Sequence, residues 1–518
     1  MFFDAGGGDR SRFAAAFDAC VIGAGPAGIT LARALSARGF EVALMEGGGL
    51  DVSVDSQDQY VGEIAGMDYI DLDAVRLRVF GGCSEHWSGE CRAFDAEAFE
   101  PLPQRPLAWP IRKPDLDPYQ PAAAEILDLA QPWMPADLAL PQSGDRFRNV
   151  RFQQSPPTRF GQKYHDEIAA DPRIACCLNA NLVDLVLDAD LAAVAGAAFR
   201  SYDPGDPGFT VKARTYCLCL GGLENPRLLL NCNRQKPQGI GNDHDLVGRY
   251  FCEHPSRTVA DARFVNRPEI RQDRLAPTPD FMRESGTLGY TLRVEWRDYP
   301  PQSLVKALRV GAKCATSATR RLAQVPGEPI PCRGDGPVEE FLIRRYPGTH
   351  PTGWVFMISE QALNRDSRVS LGEQTDDFGL RRIRLDWRLS ELDYHTMQTA
   401  LLELGAYFAE AGIGRIRLRD WLLGPEPRMP GGADVVHGGE WNGGYHQMCT
   451  TRMADDPREG VVDRDCRVHG LANLYVGGSS VFATPSSVPP TFTIVQLALR
   501  LADHLNQERL AGAPRDAL

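Results

Sequence analysis

The stretch Asp18 to Glu46, DACVIGAGPAGITLARALSARGFEVALME, constrains the fold more than any other part of the chain. A short apolar run (Ala19 to Ile22) is followed by Gly23, Gly25 and Gly28. An Ala/Leu-rich helical pattern comes next, and then a second apolar run ending in Glu46. Each glycine answers a separate steric demand. Gly23 permits the tight turn out of the strand, and Gly25 lets the backbone approach a pyrophosphate. Gly28 lets the helix pack closely on the sheet. The helix opens at Pro26, where a missing N–H costs little, so its free N–H groups and positive dipole end face the phosphates. Ala24, Pro26 and Ala27 between the glycines share the predicted contact, and Glu46 lies where a carboxylate grips a ribose hydroxyl. A bare GxGxxG also occurs as a glycine-rich loop in unrelated α/β folds. Here strand, helix, second strand and acid stand in register, which predicts a dinucleotide-binding unit.

At 518 residues the chain is too long for one small core, so two or three intertwined domains are expected. A net charge of −12 argues against nucleic acid or an anionic membrane as the main partner. No apolar run reaches the length of a membrane span, and the sequence MFFDAGGGDRSRF lacks the basic-then-apolar order of a secretory signal. The 13 cysteines are scattered, with no CxxC, no CxxCH haem site and no zinc spacing. Reduced thiols in a cytoplasmic protein are therefore expected, with no metal.

Residues 1 to 12 read as a loose terminus, and 50 to 75 as an acidic, extended excursion. Arg76 to Phe94, RLRVFGGCSEHWSGECRAF, is a loop rich in glycine and aromatic residues. A helix is expected near Ala122 to Leu129. From Ile174 to Leu220, β-rich runs separated by turn residues predict a small sheet returning to a strand of the nucleotide domain, followed by a helix in GGLENPRLLL. Residues 255 to 425 carry Arg-rich alternating runs, such as RVSLG and RRIRLDWRL, that suggest an antiparallel sheet with one solvated face. Ser390 to Ala411 predicts a long amphipathic helix, and the end of the chain a strand (Asn473 to Val476), a glycine turn and the helix TFTIVQLALRLADHL.

Seven pieces in order carry a family resemblance. They are GAGPAG with Glu46-Gly47-Gly48; FGGCSEHWSG; GGLENPRLLL; GIGNDHDLVGRYFCEHP; SRVSL with LDWRLS; YHQMCTTRM; and GVVDRDCRVHGLANLYVGGSSVFAT. Together they resemble the glucose–methanol–choline (GMC) flavoprotein oxidoreductases, nearest the branch of bacterial sugar dehydrogenases and pyranose oxidases. The resemblance implies an α/β architecture, with a Rossmann-like FAD-binding domain intertwined with a substrate domain on a mostly antiparallel sheet with helices. The FAD-binding domain would take residues 14–100, 174–254 and 436–510, the last segment bringing the active-site histidine. Residues 255–435 would form the substrate domain, and 101–173 a connecting, substrate-side segment.

The implied reaction is oxidation of an alcohol (a sugar, glycoside or polyol) by hydride transfer to flavin N5, with a dehydrogenase favoured over an oxidase. Such chemistry needs a base for the hydroxyl proton, while FAD does the redox step. His446 in YHQMCTTRM aligns with the family's active-site histidine, and imidazole titrates near neutrality. The family usually pairs that histidine with a second histidine or an asparagine near the start of the last helix. Here Val488-Pro489-Pro490-Thr491 puts Pro489 at that place, without a side-chain hydrogen bond or an N–H. The second hydrogen bond to the substrate oxygen is therefore missing or comes from elsewhere, with Ser486, Ser487 and Thr491 as candidates.

His86 in SEHW corresponds to the histidine that pyranose oxidases link to the flavin 8-methyl group, so either a covalent bond or a non-covalent ring contact is implied. Trp87 and Ser88 beside it, Gly81, Gly82 and Ser84 before it, and Leu182, Gly478, Ser479 and Thr491 are the further cofactor contacts that the resemblance implies. Cys449 replaces the glycine of the usual His-x-Met-Gly-Thr, and is either a tolerated small side chain or a redox-active thiol. His254 and His437 are expected to be surface or structural residues. A small subunit or a cytochrome would accept the electrons, and such a partner could carry the folded protein to the periplasm. A natural-product alcohol, an unusual oxidation or cyclisation, and a non-redox lyase on the same fold remain as alternatives.

Overall fold

The computed structural model describes residues 1–7, 10–130, 138–139, 143–265, 274–296, 352–424, 426–431 and 443–511. Its first sheet has six parallel strands, in the order Phe2–Asp4, Ile174–Leu178, Val42–Met45, Phe17–Ile22, Ala213–Leu218 and Leu474–Val476. Both faces are covered, so the strands read as continuous apolar runs, and Cys176, Cys177 and Cys217 are buried free thiols within them. Helix Pro26–Ala37 leaves strand Phe17–Ile22 and lies against the C-terminal helix Thr491–Ala511. Arg509 donates to the carbonyl oxygens of Arg38 and Gly39 and so fastens the two helices together.

The N-terminus is not loose. Met1 donates its amino group to Ile168 O and Ile174 O, both at 2.9 Å, and Phe2 stacks on His165. Three residues then complete an edge of the sheet. Such a strand is too short for alternation to show in the sequence.

The runs between 181 and 211 form the expected small antiparallel sheet, and helix Gly221–Asn231 follows the strand Ala213–Leu218. A second large sheet is antiparallel throughout its seven strands. Its order is Gly414–Leu418, Ser256–Phe264, Thr352–Ser359, Tyr290–Trp296, Arg274–Pro277, Phe147–Val150 and Leu138–Ala139. Helix Glu391–Glu410, closed by a capping box of Ser390 with Asp393, covers one face. Leu292, Val294, Val355 and Met357 meet Met397, Leu401, Leu404 and Phe408 there. Strand alternation then turns Phe356 and Ile358 to the other face, towards the first sheet.

The Arg-rich runs do not belong to this sheet. Arg368–Thr375 and Arg381–Asp386 pair with each other, and the second pairs in parallel with Glu63–Ile64 to make a separate three-stranded sheet. Alternation fixes which face meets solvent but not which strand is the neighbour. A buried charge cluster ties this unit to the first sheet: Arg227 bonds Glu224 at 2.5 Å and also Asp376, and Arg76 reaches Glu224 at 3.4 Å. Among the described residues no helix is long and apolar enough to cross a membrane, and no group of three or more His, Cys, Asp or Glu is placed to hold a metal ion.

Candidate active site

A cavity of about 720 Å³ is lined by residues from both large sheets, a volume in the range of cofactor and ligand sites. At one end stands the glycine turn. Gly25 caps helix Pro26–Ala37 with ordinary backbone angles, and a Cβ built on it meets nothing within 4 Å. Gly28 is the opposite case: its Cβ would lie 1.8 Å from Gly23 O. The helix N-terminus thus opens onto the cavity while its underside is locked to the strand, a ready site for an anion. Glu46 lines the same end, accepting from Ala24 N and Gly48 N at 2.8 Å each, and burial raises its carboxyl above the usual range. Arg78 stands beside it, bonded to Asn181 Oδ1 at 2.7 Å, with its enclosed Nε making no hydrogen bond. The sequence reading had not selected Arg78.

Gly23, Gly25, Pro26, Ala27, Glu46, Gly82, Ser84, His86, Trp87, Ser88, Leu182, Gly478, Ser479, Thr491 and His446 all line this one cavity. Ala24, Gly28 and Gly81 stand behind its wall. Gly81 N donates to Ala24 O at 2.8 Å, and a Cβ on Gly81 would strike Glu85 and Gly161, so their role is to shape the turn. The residues present therefore fit a flavin dinucleotide: a helix N-terminus open to the cavity, a buried acid beside it, and one cavity that reaches from there to His446. His86 lines the cavity without a side-chain hydrogen-bond partner among the described residues, and burial with Arg159 nearby lowers its pKa and keeps the ring neutral.

At the other end lie two histidines. His446 Nδ1 is 2.8 Å from His254 Nδ1, with the rings edge to face, and His254 Nε2 is 3.1 Å from Pro485 O. Proton positions follow from the one partner that can only accept. The Pro485 carbonyl requires Nε2–H on His254, so His254 Nδ1 accepts, and His446 must donate from Nδ1. That leaves His446 Nε2 with a bare lone pair and no other partner among the described residues. Burial lowers both imidazoles: His254 falls to about 4 and His446 well below its ordinary value, with His254 adding to the effect. Both are neutral at pH 7, the state a base requires.

His254 is thus no peripheral residue, because it is the ring partner of His446, although both its nitrogens are taken and it leaves the place of Pro489 unfilled. The sequence did carry the CEHP piece, but nothing local ties it to a histidine 192 positions away. The two segments meet as an irregular antiparallel pair, with Cys252 and Met448 exchanging N–H···O bonds of 3.1 and 3.0 Å. Gly443 and Gly444 are needed there. A Cβ on the first would come 2.8 Å from Glu253 Cγ, and one on the second 2.9 Å from His446 Nδ1. Pro489 lines the cavity, whereas Ser486 is buried and Ser487 lies against Gly289, outside it.

Cys449 has φ = +70°, the left-handed region that explains glycine in the usual motif, and its side chain is fully buried beside Cys252. The tolerated-side-chain reading fits this enclosure, since a redox thiol needs access. His437 lies outside the described residues.

Residues 364–498 match the GMC oxidoreductase family model. The matched segment holds His446, Cys449 and Pro489. The fructose dehydrogenase large subunit of Gluconobacter japonicus is 25% identical over 317 residues, 61% of this chain and 51% of that protein. The C-glycoside 3-oxidase of Arthrobacter globiformis is 26% identical over 305 residues, 58% of this chain and 48% of that one. The chain thus spans about half the length of these curated relatives. An FAD-dependent oxidoreductase from Chaetomium thermophilum has the same overall fold, with a TM-score of 0.56 at 15% identity over 95% of this chain and all of that one.

Proposed function

We propose that the chain is an FAD-dependent GMC oxidoreductase that oxidises an alcohol CH–OH group, with His446 as the base. The supporting observation is the relay from Pro485 O through His254 to His446, which leaves a bare Nε2 in a cavity shared with the glycine turn. Bound FAD would supply a two-electron acceptor for the hydride that leaves the carbinol carbon. The chain's own residues do the rest. His446 Nε2 takes the hydroxyl proton as the C–H bond breaks, and the carbonyl product forms. His254 accepts from His446 Nδ1–H and spreads the resulting positive charge, while the Pro485 carbonyl holds that ring in place. Helix Pro26–Ala37 and Glu46 would grip the diphosphate and ribose, and Phe356, Ile358, Pro489 and Tyr445 line the same cavity.

The decisive experiment is anaerobic mixing of the flavin-loaded protein with sugars, glycosides, polyols and aromatic alcohols. Bleaching of the flavin by one class supports the proposal; turnover without bleaching would replace it with a non-redox lyase. Relatives named for fructose, a diol and C-glycosides make sugars and glycosides the first class to try. We further propose a dehydrogenase, for which substrate-dependent oxygen consumption should be slow beside dye reduction.

We also propose a covalent link from His86 to the cofactor, because a neutral imidazole on the cavity, without a hydrogen-bond partner among the described residues, is the nucleophile such a bond needs. Acid precipitation is expected to leave the yellow colour on the pellet of the wild-type protein and in the supernatant of His86→Ala. Colour released from both would remove the link.

A further inference from the structure

We propose that Glu253 is the positioning residue of this site, a buried anion that holds both histidine backbones and balances the proton that the pair takes up. This rests on the reading of His446 as the base. The Glu253 carboxylate has no solvent exposure. Its Oε1 accepts from His254 N and His446 N, both at 2.7 Å, so one oxygen fixes the two residues of the relay relative to each other. Its Oε2 accepts from Tyr69 Oη at 2.6 Å, and that hydroxyl in turn accepts from Gln447 Nε2 at 3.0 Å. The backbone of Glu253 is itself pinned, with its N–H donating to Gln361 Oε1 at 2.9 Å.

Nothing in this arrangement calls for a charge if its purpose is packing alone. An amide would accept the same two N–H groups, and burying a carboxylate without a cation is costly. Glu253 forms no ion pair with a lysine or arginine among the described residues. The titratable groups facing it are Tyr69, Tyr445, His254 and His446, all neutral at pH 7. The one cation that arises beside it is the imidazolium formed when His446 accepts the substrate's proton. A fixed anion waiting for that charge needs no reorganisation at the moment of transfer. Burial raises the Glu253 carboxyl to about 7 against the pull of its donors, so its ionisation falls in the working range.

The test is Glu253→Gln, which keeps an oxygen for both N–H groups and removes the charge. Flavin content and KM are expected to be unchanged, kcat at neutral pH to fall by about tenfold, and the acid limb of kcat to move down by about one pH unit, since the step that Glu253 protonation gives near neutrality disappears and only the His446 limb remains. A second readout needs no turnover. In pH-difference infrared spectra the wild type should show a carboxylic C=O band titrating near neutrality that vanishes in Glu253→Gln. A band absent from the wild type between about pH 5 and 9, or a variant with the wild-type kcat and acid limb, would overturn the proposal. If that variant does not fold, Tyr69→Phe decides. Losing one donor should move the band to higher pH and give a loss of kcat that rising pH restores, and an unchanged band and profile would count against Glu253. A wild type whose flavin no alcohol reduces would instead overturn the reading of His446.

Discussion

His446→Ala is expected to keep its flavin and to lose about 10²- to 10⁴-fold of the rate at which alcohol reduces it, the usual worth of a positioned base. The loss should fall on kcat, because the imidazole meets the hydroxyl proton and not the bulk of the substrate. His254→Gln makes the argument sharper. It leaves His446 in place but frees its tautomer, so an intermediate loss is expected, with the same flavin spectrum. If His446 were only a structural hydrogen-bonding residue, stopped-flow reduction of the His446→Ala flavin would proceed at the wild-type rate. The pH profile carries an independent sign. Burial lowers the His446 pKa, so its base form persists through neutral and weakly acidic pH. The base itself should be lost only below the ordinary histidine value of about 6.5, apart from the roughly tenfold step that protonation of Glu253 near neutrality would add. In Glu253→Gln, a limb above about 6.5 would point to another base.

The second large effect separates two glycines of one motif. Gly28→Ala puts a methyl group 1.8 Å from Gly23 O and 3.0 Å from Gly23 C, both backbone atoms that cannot swing aside. Strand and helix must part, at a cost of at least the roughly 1–3 kcal/mol typical of overpacking. The purified variant should be colourless and melt several degrees lower. Gly25→Ala places its methyl group in open cavity at unstrained backbone angles. It should fold and melt like the wild-type apoprotein while binding FAD more weakly, because the methyl group occupies the ground where phosphate oxygens would lie. Thermal melts and flavin titration of the two apoproteins distinguish the cases. Equal behaviour of both variants would contradict the assignment.

That motif was readable because everything it needs lies within 30 consecutive residues, and its steric reasons are local. Helix Glu391–Glu410 was readable for the same cause, with Ser390 and Asp393 marking its start. His446 was found through its motif, and the gap at Pro489 was visible as well. The residues that hold His446 were not. His254 and Glu253 reach His446 by way of an irregular pairing with Tyr445 in the left-handed region at φ = +58°, which no periodicity announces. The misplaced Arg-rich strands fail for a related reason, since their alternation was right but their neighbour, Glu63–Ile64, is a two-residue strand in an acidic loop.

The parallel sheet threads together strands that begin at Phe2 and end at Val476, and the bond between His254 and His446 crosses 192 positions. Contacts so distant in sequence close late, because the loop entropy has to be met before they give anything back. A chain still emerging from the ribosome would hold a finished glycine turn with no far wall to the cavity. Capture of the proposed flavin would therefore follow synthesis, and chains stopped short of Leu474 should accumulate as colourless, aggregation-prone material even with the glycine turn formed.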